Sequence, residues 1–114
     1  MTIGHNSNVT EEQLQAALDF LRDNASSAAT AKAERIFCEE YRKALKAVLM
    51  KESTEKAHNA QERDAYADGR YMAHLDKLKQ AVYADEFNRA RRVAAEMKIE
   101  AWRTQQANYR AMKI

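Results

Sequence analysis

Apolar side chains recur along this chain at intervals of three and four residues, the period of an amphipathic helix. Leu14, Leu18 and Leu21 begin the pattern, with Ala17 and Phe20 beside them. Thr10-Glu11-Glu12-Gln13 precedes them as a capping box, with Val9 and Leu14 placed as a hydrophobic staple. The spacing predicts a first helix of about four turns that ends near Asn24, before Ser26-Ser27. A second helix is expected to start at Ser26 or Ser27 and run into the fifties. Its apolar face is Phe37, Tyr41, Ala44 and Val48 at 4-3-4 spacing, widened by Leu45 and Leu49. Ser53-Thr54 is the weak point, with a restart capped by either residue. Residues 55–67 read as a more polar helix whose apolar positions are Ala57, Ala60, Ala65 and Tyr66.

Asp68 is positioned to cap a last helix, with Gly69 just inside it. Leu75, Leu78 and Val82 open that helix's apolar stripe. Tyr83, Phe87, Ala90, Ala94, Met97 and Ala101 then follow at 4-3-4-3-4, a coiled-coil spacing whose small alanines allow close approach of a neighbour. The stripe fades after Trp102, and fraying is expected near Arg110. There is no proline, and Gly69 is the only glycine after residue 10. One interior breaker in a helical chain predicts one sharp bend. The expected fold is therefore all-α: a short N-terminal amphipathic helix plus a long antiparallel helical hairpin turning at Asp68-Gly69. Residues 28–67 and 70–109 would form its arms, each reaching roughly 60 Å. The alternative is a kink at Gly69 in a longer rod pairing two chains. Residues 1–9 read as a disordered leader and residues 10–114 as a single helical domain.

The chain has 114 residues, of which 32% are charged, and its net charge is +2. That total hides an asymmetry. Residues 1–69 carry nine Lys/Arg and twelve Asp/Glu; residues 70–114 carry ten and five. The basic half suits phosphates or an acidic protein surface, or is simply a solvated helix whose charge complements its macrodipole. Arg89, Arg91, Arg92, Lys98, Trp102 and Arg103 form the candidate nucleic-acid set, because guanidinium groups bind phosphates and an indole stacks on unpaired bases. Glu96 and Glu100 interrupt its positive charge. Tyr66, Arg70 and Tyr71 at the turn, with Tyr83, Phe87 and Met97 on the last helix, form the candidate protein interface. The alternative for Tyr66 and Tyr71 is that they pack on each other to staple the turn.

Catalytic chemistry has little to stand on. The carboxylates are spread along polar helix faces, and no phosphate loop or triad is present, so no enzymatic activity and no cofactor are expected. His5, His58 and His74 lack the spacing of a helical metal site. Cys38 is the single cysteine, which rules out an intramolecular disulfide and suits a reducing cytoplasm. No stretch approaches the length of a membrane span.

Three stretches carry a resemblance: AERIFCEEYRKALKAVLMKE from Ala33, AQERDAYADGRYMAHLDKLKQAV from Ala60 and KIEAWRTQQANYR from Lys98. In order and spacing they resemble small all-helical accessory proteins of tailed phages and prophages of proteobacteria, encoded near recombination genes. The opening MTIGHNS resembles leaders of such proteins. The resemblance implies a role in phage DNA recombination or DNA metabolism; with the basic last helix and the lack of catalytic signatures, the expectation is a cytoplasmic, non-enzymatic protein acting through single-stranded DNA or an annealing protein, self-associating through the alanine-rich seam, most simply as a homodimer. Two alternatives stand beside it: an inhibitor bound to a host defence or nuclease complex, and a structural coiled-coil assembly protein.

Overall fold

The computed structural model describes residues 8–113, whose regular structure is all helical, with no strand among the described residues. Helix α1 spans Glu11–Glu52, α2 spans His58–Ala67 and α3 spans Gly69–Met112. Residues 1–7 of the expected leader lie outside the described residues. Val9, which the sequence pattern assigned to that leader, is instead buried. Its N–H donates to Gln105 Oε1 at 2.8 Å and its carbonyl accepts from Gln105 Nε2 at 2.9 Å.

The expected capping box forms. Gln13 N–H donates to Thr10 Oγ1 at 3.1 Å, and Thr10 N–H donates to Gln13 Oε1 at 3.0 Å. The expected stop near Asn24 does not: α1 continues through Ser26-Ser27 without interruption. Those serines sit in the run NASSAATAKAE, where flanking alanines favour helix and no glycine or proline opposes it. The helix breaks only after Glu52, at the weak point expected at Ser53-Thr54. Ser53 does not cap the next helix: its hydroxyl accepts from the Glu55 N–H at 3.1 Å and donates to Asp64 Oδ2 at 2.6 Å. The N-cap of α2 is Ala57, which has no side-chain acceptor.

The turn into α3 is made by Asp68, as the sequence pattern indicates. Asp68 is extended, at φ −69° and ψ 135°. Its carboxylate accepts the Arg70 N–H at 2.8 Å, and its carbonyl accepts the Tyr71 N–H at 3.0 Å. Gly69 plays a smaller part than a breaker would. Its φ is not positive, and a methyl group at its Cα would meet nothing within 4 Å.

The contacts divide the chain into two units. Unit 1 holds residues 1–27 and 88–114; unit 2 holds residues 28–87. In unit 1 the less exposed positions include Leu14, Ala17, Leu21 and Asn24 on α1, and Asn88, Arg92, Ala95, Ile99 and Trp102 on α3. In unit 2 they include Ala28, Ala31, Arg35, Cys38, Arg42, Leu45 and Leu49 on α1, and Tyr71, His74, Leu78, Ala81 and Asp85 on α3. Both lines alternate steps of three and four, the spacing of a helix-pair seam. The seam expected from Tyr83, Phe87, Ala90, Ala94, Met97 and Ala101 is a different line, and all six of its residues are exposed. Large apolar groups fall on both lines of α3, with Tyr71, Leu78, Ile99 and Trp102 on the inner one and Tyr83, Phe87 and Met97 on the outer one, so periodicity alone does not select between the faces.

The multi-residue apolar core lies in unit 2. Leu49, Ala65 and Tyr71 are buried together, with Leu45, Met50 and Leu75 packed against them. Gly69→Ala should therefore raise thermal stability by about 0.5–1 kcal/mol, since alanine fits the backbone and restricts the unfolded chain. Leu49→Ala should lower it by about 2–3 kcal/mol through the cavity it leaves. Thermal unfolding followed by circular dichroism checks both.

Candidate functional site

The six basic and aromatic residues of the candidate nucleic-acid set do not form one surface. Arg92 is half-buried on the inner line of unit 1. One guanidinium nitrogen donates to the Leu21 carbonyl and to Asn24 Oδ1, each at 3.1 Å, and Asn24 Nδ2 donates onward to Asn88 Oδ1 at 3.0 Å. Trp102 lies on the same inner line and is also half-buried. These two residues thus belong to the packing of unit 1. Arg89 and Arg91 lie about 200° apart around the helix, because each residue advances it by about 100°. Arg103 pairs with Glu100 at 2.7 Å, with both side chains largely exposed.

What the structure does bring together is Arg91 and Lys98. With Ala16, Ala17, Phe20, Ala94 and Ala95 they line an open groove of about 220 Å³ in unit 1. The Arg91 guanidinium lies over the Phe20 ring, 4.6 Å from its centroid. The groove has an apolar floor of alanine and phenylalanine and a cationic margin. It is smaller than sites that enclose a small-molecule ligand, which run from about 300 Å³. A groove of this size suits one or two side chains of a longer partner. Phe20 was legible in the sequence only as a core residue. The signal that marks the groove is the pairing of small residues at positions 16 and 94 with cations seven residues apart at 91 and 98.

The eleven Lys/Arg and eleven Asp/Glu of unit 2 balance, and unit 1 carries eight against six. Folding therefore dilutes the basic C-terminal half by setting it beside Glu11, Glu12, Asp19 and Asp23 within unit 1.

The candidate interface residues divide as well. Tyr71 is buried at 8% exposure and packs edge-to-face on Tyr66, with ring centroids 5.3 Å apart. The two rings staple the turn between α2 and α3. Lys46 Nζ caps the Tyr66 ring at 4.8 Å and pairs with Glu62 at 2.7 Å. Arg70 is held by Glu52 at 2.8 Å and by Asp68 at 3.0 Å. By contrast, Tyr83 is 69% exposed and Met97 is 65% exposed, and Phe87 is about half exposed. Tyr83 and Phe87 stack with centroids 5.9 Å apart.

Two polar groups, His74 and Asp85, are buried. His74 donates from Nε2 to the Cys38 carbonyl at 2.8 Å, and the Tyr41 ring meets it edge-on at 5.0 Å. Asp85, 6% exposed, accepts from Arg35 Nη1 at 2.8 Å, and Arg35 also reaches Glu86 at 3.1 Å and Glu39 at 3.0 Å. The Cys38 thiol is buried, and that burial, followed by the nearby Glu34 carboxylate, pushes its pKa up, away from the reactive thiolate. Among the described residues no group of three or more His, Cys, Asp or Glu is placed to hold a metal ion. Among them, no helix is long and apolar enough to cross a membrane.

Comparison with family models, curated proteins and solved structures finds no match to this chain.

The acidic groups at the turn set a pH dependence. Hydrogen bonds from the Arg70 side chain and N–H hold the Asp68 carboxyl below its ordinary range, and Lys46 does the same for Glu62. A carboxyl whose folded pKa is depressed stabilises the fold above its unfolded pKa, near 4, and loses that contribution as pH falls through the folded value. Both groups are open to solvent, so the effect should be modest and screened by salt. The midpoint of thermal unfolding should fall between pH 5 and pH 2.5, and the drop should shrink in an Asp68→Asn/Glu62→Gln variant. An equal drop in the variant would show that other carboxylates govern acid stability.

Proposed function

We propose that this chain is a non-enzymatic accessory protein that acts by docking an acidic, amphipathic segment of a partner protein in the unit 1 groove. The observation that carries this reading is the groove itself, an alanine and phenylalanine floor bordered by Arg91 and Lys98. An acidic helix supplies both halves of the match: apolar side chains for the floor and carboxylates for the cations. In the phage setting that the sequence resemblance implies, the partner would be a phage annealing protein or a host defence or nuclease complex.

The fold fits such a role. Within unit 1, contacts pair Val9 with Gln105, Leu21 with Arg92 and Asn24 with Asn88. Rising numbers on one segment meet falling numbers on the other. We read α1 and α3 as antiparallel neighbours in that unit, the helical counterpart of a hairpin.

Direct DNA binding is the second reading. Its support is the same pair of cations, spaced seven residues apart on one side of α3. It ranks lower for two reasons. Phe20 already has the Arg91 guanidinium over its ring, and Trp102 sits on the inner line, so neither offers an open stacking platform. Arg92 is committed to Leu21 and Asn24.

Fluorescence anisotropy separates the two readings. The probes are a labelled acidic amphipathic peptide, a labelled single strand and a labelled duplex, each at low and physiological salt. The peptide should bind with retained affinity at physiological salt, and Arg91→Glu/Lys98→Glu should weaken it by tenfold or more. Steeply salt-dependent binding to a single strand, lost in the same variant and without peptide binding, would replace the protein reading with the DNA reading.

A further inference from the structure

We infer that the segment seated in the unit 1 groove is an α-helix carrying two carboxylates seven residues apart, with Arg91 as the anchor that orients it. The inference rests on the docking reading given above and names the form of the partner at that site.

The lining of the groove carries one sign of charge. None of its seven residues is acidic, and four are alanine. Ala17 and Ala95 are buried, while Ala16 of α1 and Ala94 of α3 are exposed. Alanines hold no long side chain against a partner's backbone, so a third helix can approach closely.

The two cations set an interval along the groove. Arg91 and Lys98 are about two helical turns apart, roughly 10 Å along the axis of α3. A partner helix lying along α3 repeats that interval on one face at its own positions i and i+7. An extended partner does not. Its residues on one face recur every second position, at about 6.6 Å and then about 13 Å, and neither matches. Ala94 and Ala95 stand three and four residues after Arg91, between the two cations. In either chain direction, a helical partner thus places its positions i+3 and i+4 over the alanine floor. An apolar side chain there completes the match.

The two cations are not equivalent. The Arg91 guanidinium lies over the Phe20 ring, 4.6 Å from its centroid. Stacking fixes the plane of a guanidinium and directs its N–H donors edgewise, the geometry that holds a carboxylate by two parallel hydrogen bonds. Lys98 is exposed, and an ammonium on a flexible stem acts as a point charge without a preferred plane. Ordering Arg91 on binding costs less side-chain freedom than ordering Lys98. Arg91 therefore positions one carboxylate, and Lys98 adds attraction for the other.

Fluorescence anisotropy on the full chain at physiological salt tests this with three labelled alanine-based peptides of equal charge. The first carries glutamates seven residues apart with leucine midway. The second has the same composition with the glutamates five residues apart, on different sides of the helix. The third is the first with proline at its centre. The first should bind at least tenfold more tightly than the other two and gain helical circular dichroism when bound. Arg91→Lys should weaken its binding at least tenfold, and Lys98→Arg less than threefold. Phe20→Leu should weaken it too, and adding Arg91→Lys to that variant should cost little more, since both changes remove the same stacked fork. If Phe20→Leu fails to fold, the peptide series and the Arg91→Lys and Lys98→Arg comparison still decide the matter. Equal affinity for the first and second peptides, or undiminished binding of the third, would overturn the helical partner and leave the docking reading standing. A greater loss in Lys98→Arg than in Arg91→Lys would overturn the anchor. Binding by no acidic peptide at all would overturn both the inference and the reading beneath it.

Discussion

The packing of this protein depends on satisfying the polar groups that its inward lines carry. A buried polar group without a partner costs about 1–3 kcal/mol, and a buried charge more. Arg92 meets the Leu21 carbonyl and Asn24, Asn24 meets Asn88, His74 meets the Cys38 carbonyl, and Asp85 meets Arg35. Each pair joins a residue of α1 to one of α3 within its own unit. Such pairs contribute little net energy, but a slip of register would leave each of them unpaired. They therefore specify which residues meet more than they strengthen the meeting.

That arrangement explains what the residue pattern disclosed and what it concealed. The Thr10–Gln13 capping box and the Asp68 turn were legible because each is a local hydrogen-bond device with a fixed residue spacing. The continuous α1 was not, because two serines read as a boundary while the alanines around them outweigh their weak preference. The face of α3 that turns inward was not legible either. Periodicity follows the large apolar side chains, and here Tyr83, Phe87 and Met97 are outside while Tyr71, Leu78, Ile99 and Trp102 are inside. The inner line of α3 mixes Leu78, Ile99 and Trp102 with His74, Asp85, Asn88 and Arg92 at three-four spacing, and that of α1 mixes Leu14, Leu21, Leu45 and Leu49 with Asn24, Arg35, Cys38 and Arg42, so polar residues interrupt the apolar signal.

The same accounting reshapes the candidate sites. A cluster of arginines in the sequence looked like one basic face, yet the helix distributes them: Arg92 inward, Arg91 toward Phe20, and Arg103 onto Glu100. Tyr66, Arg70 and Tyr71 looked like a contact surface at the turn, and they are held by one another and by Lys46, Asp68 and Glu52. Phe37, Tyr83 and Met97 stay exposed, and Arg91 and Lys98 border a small open groove in unit 1.

The most direct test of this account is a thiol-labelling scan of α3 in a Cys38→Ala background. Single cysteines at Ala95, on the inner line, and at Ala90 and Met97, on the outer line, are compared for their rate of reaction with a thiol reagent under native conditions. The account predicts that Ala95→Cys is protected at least tenfold relative to Ala90→Cys and Met97→Cys. Protection at residues 90 and 97 with free reaction at 95 would mean that α3 packs through its apolar stripe, and the polar seam described above would be wrong.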